Sequence, residues 1–262
     1  MAVALLLTVA LAGLVVYVQL AAATARAQVA AIEPIIVFPD FANIVDIDVK
    51  KQQFFDYLQD YVVAENRRVL ALRDEVASLA VLVNSGVGLS SSGERQRFLE
   101  LAEAYRIDAA ELNDRGIAAT LMRRVDAIPV SMALAQAANE SAWGTSRFAL
   151  EGFNLFGQWC YEEGCGLVPL RRLEGASHEV EEFKSVEEAV AAYFYNINTH
   201  PSYLGLRELR EEMRRHGEPL DSMRLVAGLG RYSERGLNYV DEVQTLIEQN
   251  GLMTRDRALG DL

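Results

Sequence analysis

The most constraining feature of the sequence is a run of small and apolar residues, VSMALAQAA, at 130–138. It follows Pro129, and proline is favoured in the first turn of a helix. A helix that is apolar on all sides is stable in water only when other elements surround it. The run therefore predicts a buried central helix over 130–142, with the remaining helices packed around it.

Apolar residues at three- and four-residue steps, capping residues and helix-stopping prolines predict the helices that surround this run. They are expected at 50–79, 92–105, 117–125, 186–200, 206–216, 221–229 and 239–250. The stretch LVPLRRLEGASHEVEEF at 167–183 instead predicts two short strands that turn at Glu174-Gly175. The fold class is therefore mainly α with one small hairpin.

The N-terminus differs in character from the rest. Residues 2–25 are almost entirely apolar and long enough to cross a bilayer. They run into Ala25-Arg26-Ala27, a small-x-small pattern of the kind that signal peptidase cuts. No Lys or Arg precedes the run, so a cleaved signal peptide and an uncleaved anchor both stay open. Either alternative exports the rest of the chain, with residues 28–48 as an extended linker.

Charge and cysteine content narrow the possible ligands. The formal charge of −12 argues against nucleic acid, whose binding depends on Lys and Arg at phosphates. Cys160 and Cys165, the only cysteines, are close enough to form a disulfide in an oxidising compartment, although free thiols remain an alternative. A metal site would need further ligands nearby. We therefore expect neither a metal ion nor a cofactor.

A single carboxylate, Glu140, interrupts the apolar run. At helical spacing it shares a face with Gln136 and Trp143, and burial against such neighbours raises the pKa of a carboxyl group. That shift suits a general acid, whereas a helix-end glutamate that points into water is the alternative. The residues that follow, Phe153 to Trp159, mix aromatic rings with the amides of Asn and Gln, which is typical of sugar-binding sites.

The run ALAQAANESAWGTSRFALEGFNLFGQW at 133–159 resembles the catalytic signature of glucosaminidases of the glycoside hydrolase family 73 type, in which A-Q-A-x-x-E-S-x-W-G-x-S is followed by N-L-F-G. The resemblance covers about 118–251, and a weaker pattern extends it to Lys50. It implies a lysozyme-like helical domain with a β-hairpin beside the cleft, preceded by a helical extension. The implied division is 1–27 signal peptide or anchor, 28–48 linker, 49–117 helical extension, 118–251 glucosaminidase domain and 252–262 C-terminal tail.

The resemblance also implies roles for individual residues. Glu140 matches the general acid, and a second carboxylate is expected on the hairpin. Among the hairpin glutamates Glu174, Glu179, Glu181 and Glu182, Glu179 beside His178 is the predicted choice. Substrate contacts are predicted for Ser141, Trp143, Asn154, Phe156, Gly157, Trp159, Tyr232 and Tyr239.

The predicted function is that of an exported, periplasmic peptidoglycan hydrolase, an N-acetylglucosaminidase that cleaves β-1,4 bonds of the glycan strands. It is either free or attached to the inner membrane through residues 2–25. Two alternatives remain: a muramidase or lytic transglycosylase on the same fold, and a non-catalytic protein that binds the cell wall.

Overall fold

The computed structural model describes residues 38–86, 88–170, 172, 175, 177–233 and 235–260. The chain divides into two compact units, Met1–Pro39 and Asp40–Leu262, and the helices and strands below belong to the second unit. The predicted signal peptide or anchor at 1–27 and the first ten residues of the linker lie outside the described part. No helix among the described residues is long and apolar enough to cross a bilayer.

The described residues of the second unit form helices and one small sheet, so the predicted mainly α class is confirmed. The α-helices, numbered α1 to α10 in chain order, are Ile47–Asn84, Ser92–Ala104, Asp114–Arg124, Val130–Ser141, Arg147–Gly152, Val186–Thr199, Leu204–His216, Ser222–Val226, Leu237–Gln249 and Arg257–Gly260. Short 3₁₀ helices occur at Phe41–Asn43, Pro201–Tyr203, Ala227–Leu229 and Leu252–Asp256. All seven flanking helices expected from periodicity are present, within a few residues of their expected bounds.

Helix α4 is the predicted central helix, and it is buried from Val130 to Ala138. It packs against α1, α8 and α9, as well as the 3₁₀ turn Leu252–Asp256. The Asp256 carboxylate accepts hydrogen bonds from the Ser131 backbone amide at 2.8 Å and from its hydroxyl at 2.6 Å. Residues at the start of the expected tail therefore help to fix the first turn of the helix that carries Glu140.

A buried ionic cluster fixes the segment that leads into α4. Asp126 is 2% exposed and pairs with Arg214 at 2.8 Å, Arg73 at 3.3 Å and Arg210 at 3.7 Å. Burial alone would raise the pKa of Asp126, but the three guanidinium groups lower it. A charge this deeply buried is tolerated only when it is paired with an opposite charge. The ion pairs therefore keep the carboxylate and the three guanidinium groups in contact in the folded protein.

The sheet has three short antiparallel strands, β1 (Trp159–Cys160), β2 (Gly166–Leu167) and β3 (Glu179–Glu181), in the order β1-β3-β2. Strands β2 and β3 form the predicted hairpin, with Leu167 opposite Val180, whereas β1 was not expected. Of the predicted turn, Gly175 is described, with φ +84°, and Glu174 lies outside the described residues. A disulfide joins Cys160 at the end of β1 to Cys165 just before β2.

Candidate active site

The end of α4 positions Glu140. The helix stops one residue later, because Ala142, Trp143 and Gly144 all adopt positive φ angles. A Cβ at Gly144 would lie 2.7 Å from the Phe41 ring, so only glycine fits this turn. Ser141 is fully buried, where its hydroxyl donates to the Ala137 carbonyl at 2.7 Å and accepts from the Gly144 amide at 2.8 Å. The structure therefore places Ser141, predicted to contact substrate, in the cap of the helix.

Trp143 anchors the same turn to α1. Its ring packs edge-on against Phe55 at 5.2 Å and Phe54 at 6.1 Å, and the Lys51 ammonium lies 5.4 Å from the ring centroid. The side chain is half-buried. Trp143 therefore shapes the surroundings of Glu140 through packing, which ties the central helix to α1.

The loop from Phe153 to Gln158 is held by side chains that we expected to contact substrate. The Asn154 amide donates to the carbonyls of Gln158 at 2.9 Å and Glu181 at 2.8 Å, and its oxygen accepts from the Gln158 amide. Phe156 stacks on Tyr193 at 4.0 Å. Asn154 and Phe156 are each only 1% exposed. Both side chains are turned inward because their partners lie within the fold, and a direct contact of either one with substrate stays a prediction.

Gly157 is the part of this loop that meets Glu140. It is exposed and has φ +64°, a conformation that favours glycine. A Cβ at this position would lie 3.2 Å from Oε2 of Glu140. The Tyr232 hydroxyl holds the preceding residue by donating to the Phe156 carbonyl at 2.8 Å. The loop backbone thus passes directly beside the carboxyl group, and the substrate contact of Gly157 stays a prediction.

Burial dominates the electrostatics of the Glu140 carboxyl group. Its Oε1 is buried and accepts no hydrogen bond from any described residue. Burial raises the pKa of Glu140, while Tyr239 and Arg235 partly offset the rise and Glu242 adds to it. A buried carboxylate oxygen without a donor destabilises the charged form, so the protonated acid persists to higher pH.

Three tyrosines lie beside Glu140, and each is influenced by its charge. Tyr232 stacks on Tyr239 at 5.3 Å and faces Tyr203 at 5.7 Å. Tyr239 is fully buried and Tyr232 is half-buried. Burial together with the nearby carboxyl raises the pKa of Tyr203 to about 12 and raises that of Tyr239 still further. The tyrosines therefore stay neutral, and Tyr203 was not predicted from the sequence.

Glu179 is committed to the sheet. Its carboxylate accepts hydrogen bonds from the amides of Gly164 at 3.2 Å and Gly166 at 2.9 Å, and the residue is 5% exposed. These hydrogen bonds lower its pKa, which is the opposite of the shift in Glu140. Glu181, two residues along the strand, is half-buried, and burial followed by the charge of Glu188 raises its pKa. The pKa shifts of Glu179 and Glu181 therefore have opposite directions, and only that of Glu181 favours the protonated carboxyl group.

Trp159 presents an open aromatic surface at the edge of the sheet. The residue is 50% exposed, and its ring stacks on His178 at 4.1 Å with an angle of 14° between the planes. It lies two residues after Gly157, so its Cα is within about 7 Å of that of Gly157. The indole is therefore held by His178, on a residue that follows the loop beside Glu140.

Potential metal ligands come together among the described residues at Cys160, Cys165 and Glu179, whose ligand atoms lie within 4.8 Å of one another. The two sulfur atoms are joined in a disulfide. A disulfide offers no thiolate to a metal ion, and Glu179 already accepts two amide hydrogen bonds. The cluster is therefore a structural brace of the sheet.

Residues 115–252 match the family model called glucosaminidase, described as mannosyl-glycoprotein endo-β-N-acetylglucosaminidase. The chain is 32% identical to protein Bax of Escherichia coli K12 over 213 residues, which is 81% of this chain and 74% of the relative. Among solved structures, it aligns with the catalytic domain of the autolysin Auto from Listeria monocytogenes. That alignment has a TM-score of 0.43 and 15% identity, and it covers 88% of this chain and 96% of the other.

Proposed function

Since the chain belongs to the glucosaminidase family and is a glycoside hydrolase, we propose that it cleaves β-1,4 bonds of peptidoglycan strands as an N-acetylglucosaminidase, with Glu140 as general acid. The observation that carries this proposal is the state of the Glu140 carboxyl group. It is desolvated, its Oε1 has no hydrogen-bond donor among the described residues, and Gly157 lies against it.

The chemistry follows from that state. Breaking a glycosidic bond leaves an oxygen that needs a proton, and a positioned acid whose pKa is raised toward the working pH supplies it. Burial raises the pKa of Glu140 in this direction. Because Gly157 carries no side chain, the loop can approach the carboxyl closely and still leave it room to meet a sugar oxygen.

The second carboxyl role moves from Glu179 to Glu181 in this proposal. Glu179 accepts two backbone hydrogen bonds, and its lowered pKa disfavours proton uptake. Glu181 lies on the same strand, and its carboxyl has a raised pKa, as a group that exchanges protons with water requires. Strand alternation puts both side chains on one face, so the hairpin remains the source of the second carboxyl.

Trp159 supplies a sugar-binding surface in this proposal. Aromatic rings bind the apolar faces of pyranoses, and stacking on His178 holds the indole in one orientation. The exposed half of the ring would receive a sugar of the same strand that lies over the Glu140 carboxyl. Ser141, Asn154 and Phe156 act indirectly, because they hold the turn and the loop in place.

The test is the chemistry of the product ends. Purified peptidoglycan is digested with the protein, and the soluble fragments are analysed by mass spectrometry. We expect fragments with reducing N-acetylglucosamine ends. Reducing N-acetylmuramic acid ends would indicate a muramidase, and anhydro rings would indicate a lytic transglycosylase. Absence of soluble fragments would point to a non-catalytic wall-binding protein, and any of these three results contradicts the proposal.

We also propose that the protein is exported to the periplasm, where its substrate lies. The disulfide between Cys160 and Cys165 suits an oxidising compartment. Residues 2–25 would direct the export, as a cleaved signal or as an inner-membrane anchor. Fractionation of cells tests this, because recovery of the protein in the cytoplasm would contradict export.

A further inference from the structure

Three buried polar side chains form a continuous hydrogen-bonded chain behind Glu140. The Tyr193 hydroxyl on α6 donates to Oε1 of Gln136 on α4 at 2.7 Å. Nε2 of Gln136 donates in turn to the Tyr239 hydroxyl on α9 at 3.0 Å. All three side chains are completely buried. These hydrogen bonds thus link three helices and end at Tyr239, which lies beside the candidate acid.

The direction of donation along these hydrogen bonds determines where the hydroxyl proton of Tyr239 points. A side-chain amide has a carbonyl oxygen that accepts and an NH₂ group that donates. Because the Tyr193 proton takes the carbonyl oxygen, the NH₂ group of Gln136 faces Tyr239. The Tyr239 oxygen already accepts this hydrogen bond, so its own proton is directed to another acceptor. Glu140 follows Gln136 by one helical turn and lies beside Tyr239.

Few groups compete for that proton. The titratable and charged groups that act on or face Glu140 come from three elements: Tyr203 after α6, Tyr232 and Arg235 before α9, and Tyr239 and Glu242 on α9. The Tyr232 hydroxyl donates to the Phe156 carbonyl. Arg235 and Glu242 form an ion pair with each other, which weakens the net effect of both on Glu140. Glu140 affects Tyr203 only through its charge, and the side-chain hydrogen bond of Tyr203 is with Asn196. Tyr239 is therefore, among the described residues, the neutral donor best placed for the carboxyl group.

We propose that Gln136 is a positioning residue, which fixes the direction of the Tyr239 hydroxyl proton so that it is donated to Glu140. This role rests on the proposed function, because it concerns the same carboxyl group. A hydrogen bond to a carboxylate stabilises its charged form and opposes the effect of burial. The balance between these two effects sets how readily the Glu140 carboxyl group holds its proton and releases it.

The experiment measures the pKa of Glu140 directly, by carbon-detected NMR titration of the side-chain carboxyl in the full-length, substrate-free protein. In Tyr239→Phe we expect this pKa to rise by about one pH unit, since a hydrogen bond to the charged form is lost. In Gln136→Met, which keeps the side-chain length but cannot donate, we expect a smaller rise. The double variant should match Tyr239→Phe alone, because Gln136 acts only through Tyr239.

Two further variants serve as a control and as a replacement in this experiment. Gln244→Met is the matched control, since Gln244 also donates through its amide, to the Met223 carbonyl at 2.9 Å, and lies on α9 like Tyr239. It should leave the pKa of Glu140 unchanged. If Gln136→Met does not fold, Tyr193→Phe replaces it, because this change removes only the first hydroxyl of the chain and should raise the pKa of Glu140 slightly.

The proposal is overturned if Gln136→Met leaves the pKa of Glu140 unchanged or lowers it while Tyr239→Phe raises it. It is equally overturned if the two shifts add in the double variant, because Gln136 would then act independently of Tyr239. Digestion of peptidoglycan separates this role from the proposed function. Cleavage with additive shifts rejects only the positioning role, whereas the expected shifts without cleavage reject only the proposed function.

Discussion

The approach of Gly157 to the candidate acid predicts the effect of adding a single carbon atom. In Gly157→Ala, the new Cβ would lie 3.2 Å from Oε2 of Glu140. This separation is shorter than a normal contact of about 3.5–4.0 Å, so the carboxyl group has to move by a few tenths of an ångström. The methyl group would also occupy space through which a sugar oxygen must reach the acid.

Two effects of this substitution have different magnitudes. Placing alanine at φ +64° costs about 1 kcal/mol, which lowers the Tm by about 2–4 °C in a domain of this size. A displacement of about 1 Å at a catalytic group costs about 10²-fold in rate, so a smaller displacement costs about tenfold, or about 1.4 kcal/mol. We therefore expect a slight loss of stability and a tenfold loss of kcat/KM.

The chain offers a matched control at Gly217, the residue that follows α7. Its φ of +68° is nearly the same, and no described atom lies within 4 Å of the position of its Cβ. Gly217→Ala should lower the Tm by the same few degrees and leave peptidoglycan hydrolysis unchanged. Thermal unfolding and dye release from labelled cell wall measure the two quantities. Equal activity of Gly157→Ala and Gly217→Ala would refute the placement of the loop against the acid.

The remaining predictions concern the ionic cluster, the hairpin and the aromatic surface. Asp126→Asn should lower the free energy of unfolding by about 3 kcal/mol in urea, because it leaves Arg210 buried without its counter-charge; a loss below about 1 kcal/mol would contradict this. Folding lowers the pKa of Asp126, so its ion pairs stabilise the protein at every pH above the usual pKa range of Asp. This stabilisation is lost as the pH falls through the folded-state pKa, and a free energy of unfolding that does not change with acid would contradict this. Glu181→Gln should reduce kcat far more than Glu179→Gln; the reverse order would return the second carboxyl role to Glu179. Trp159→Ala should raise KM about tenfold through lost stacking, whereas Leu170→Ala, at a residue 90% exposed, should not; equal KM values for both variants would reject the sugar-binding surface.

The buried central helix could be predicted because its signal is local. An apolar run with a proline at its start determines both the element and its burial, and α4 is buried as expected. The family resemblance is also confirmed. It could be recognised because its signal is local too: the signature around Glu140 is contiguous in the chain. Spacing along one helix also predicted that Gln136 would share a face with Glu140.

What the sequence could not reveal depends on contacts between distant segments. Asn154 is buried because its amide meets the Glu181 carbonyl 27 positions away, a contact that exists only in the folded sheet. Strand alternation gave the face of Glu179, but it could not indicate that the amides of Gly164 and Gly166 would meet the carboxylate. Strand β1 is only two residues long, too short for a periodic signal.

The central claim is that Glu140 donates the proton during cleavage, and the rate of Glu140→Gln tests it most directly. Glutamine keeps the shape of the side chain but has no acidic proton, so the fold should be unchanged. General acid catalysis contributes about 10²–10⁴-fold, so we expect the variant to release soluble fragments from peptidoglycan at least 10²-fold more slowly than the wild type, with the same urea midpoint. Equal rates for the two folded proteins would contradict the account.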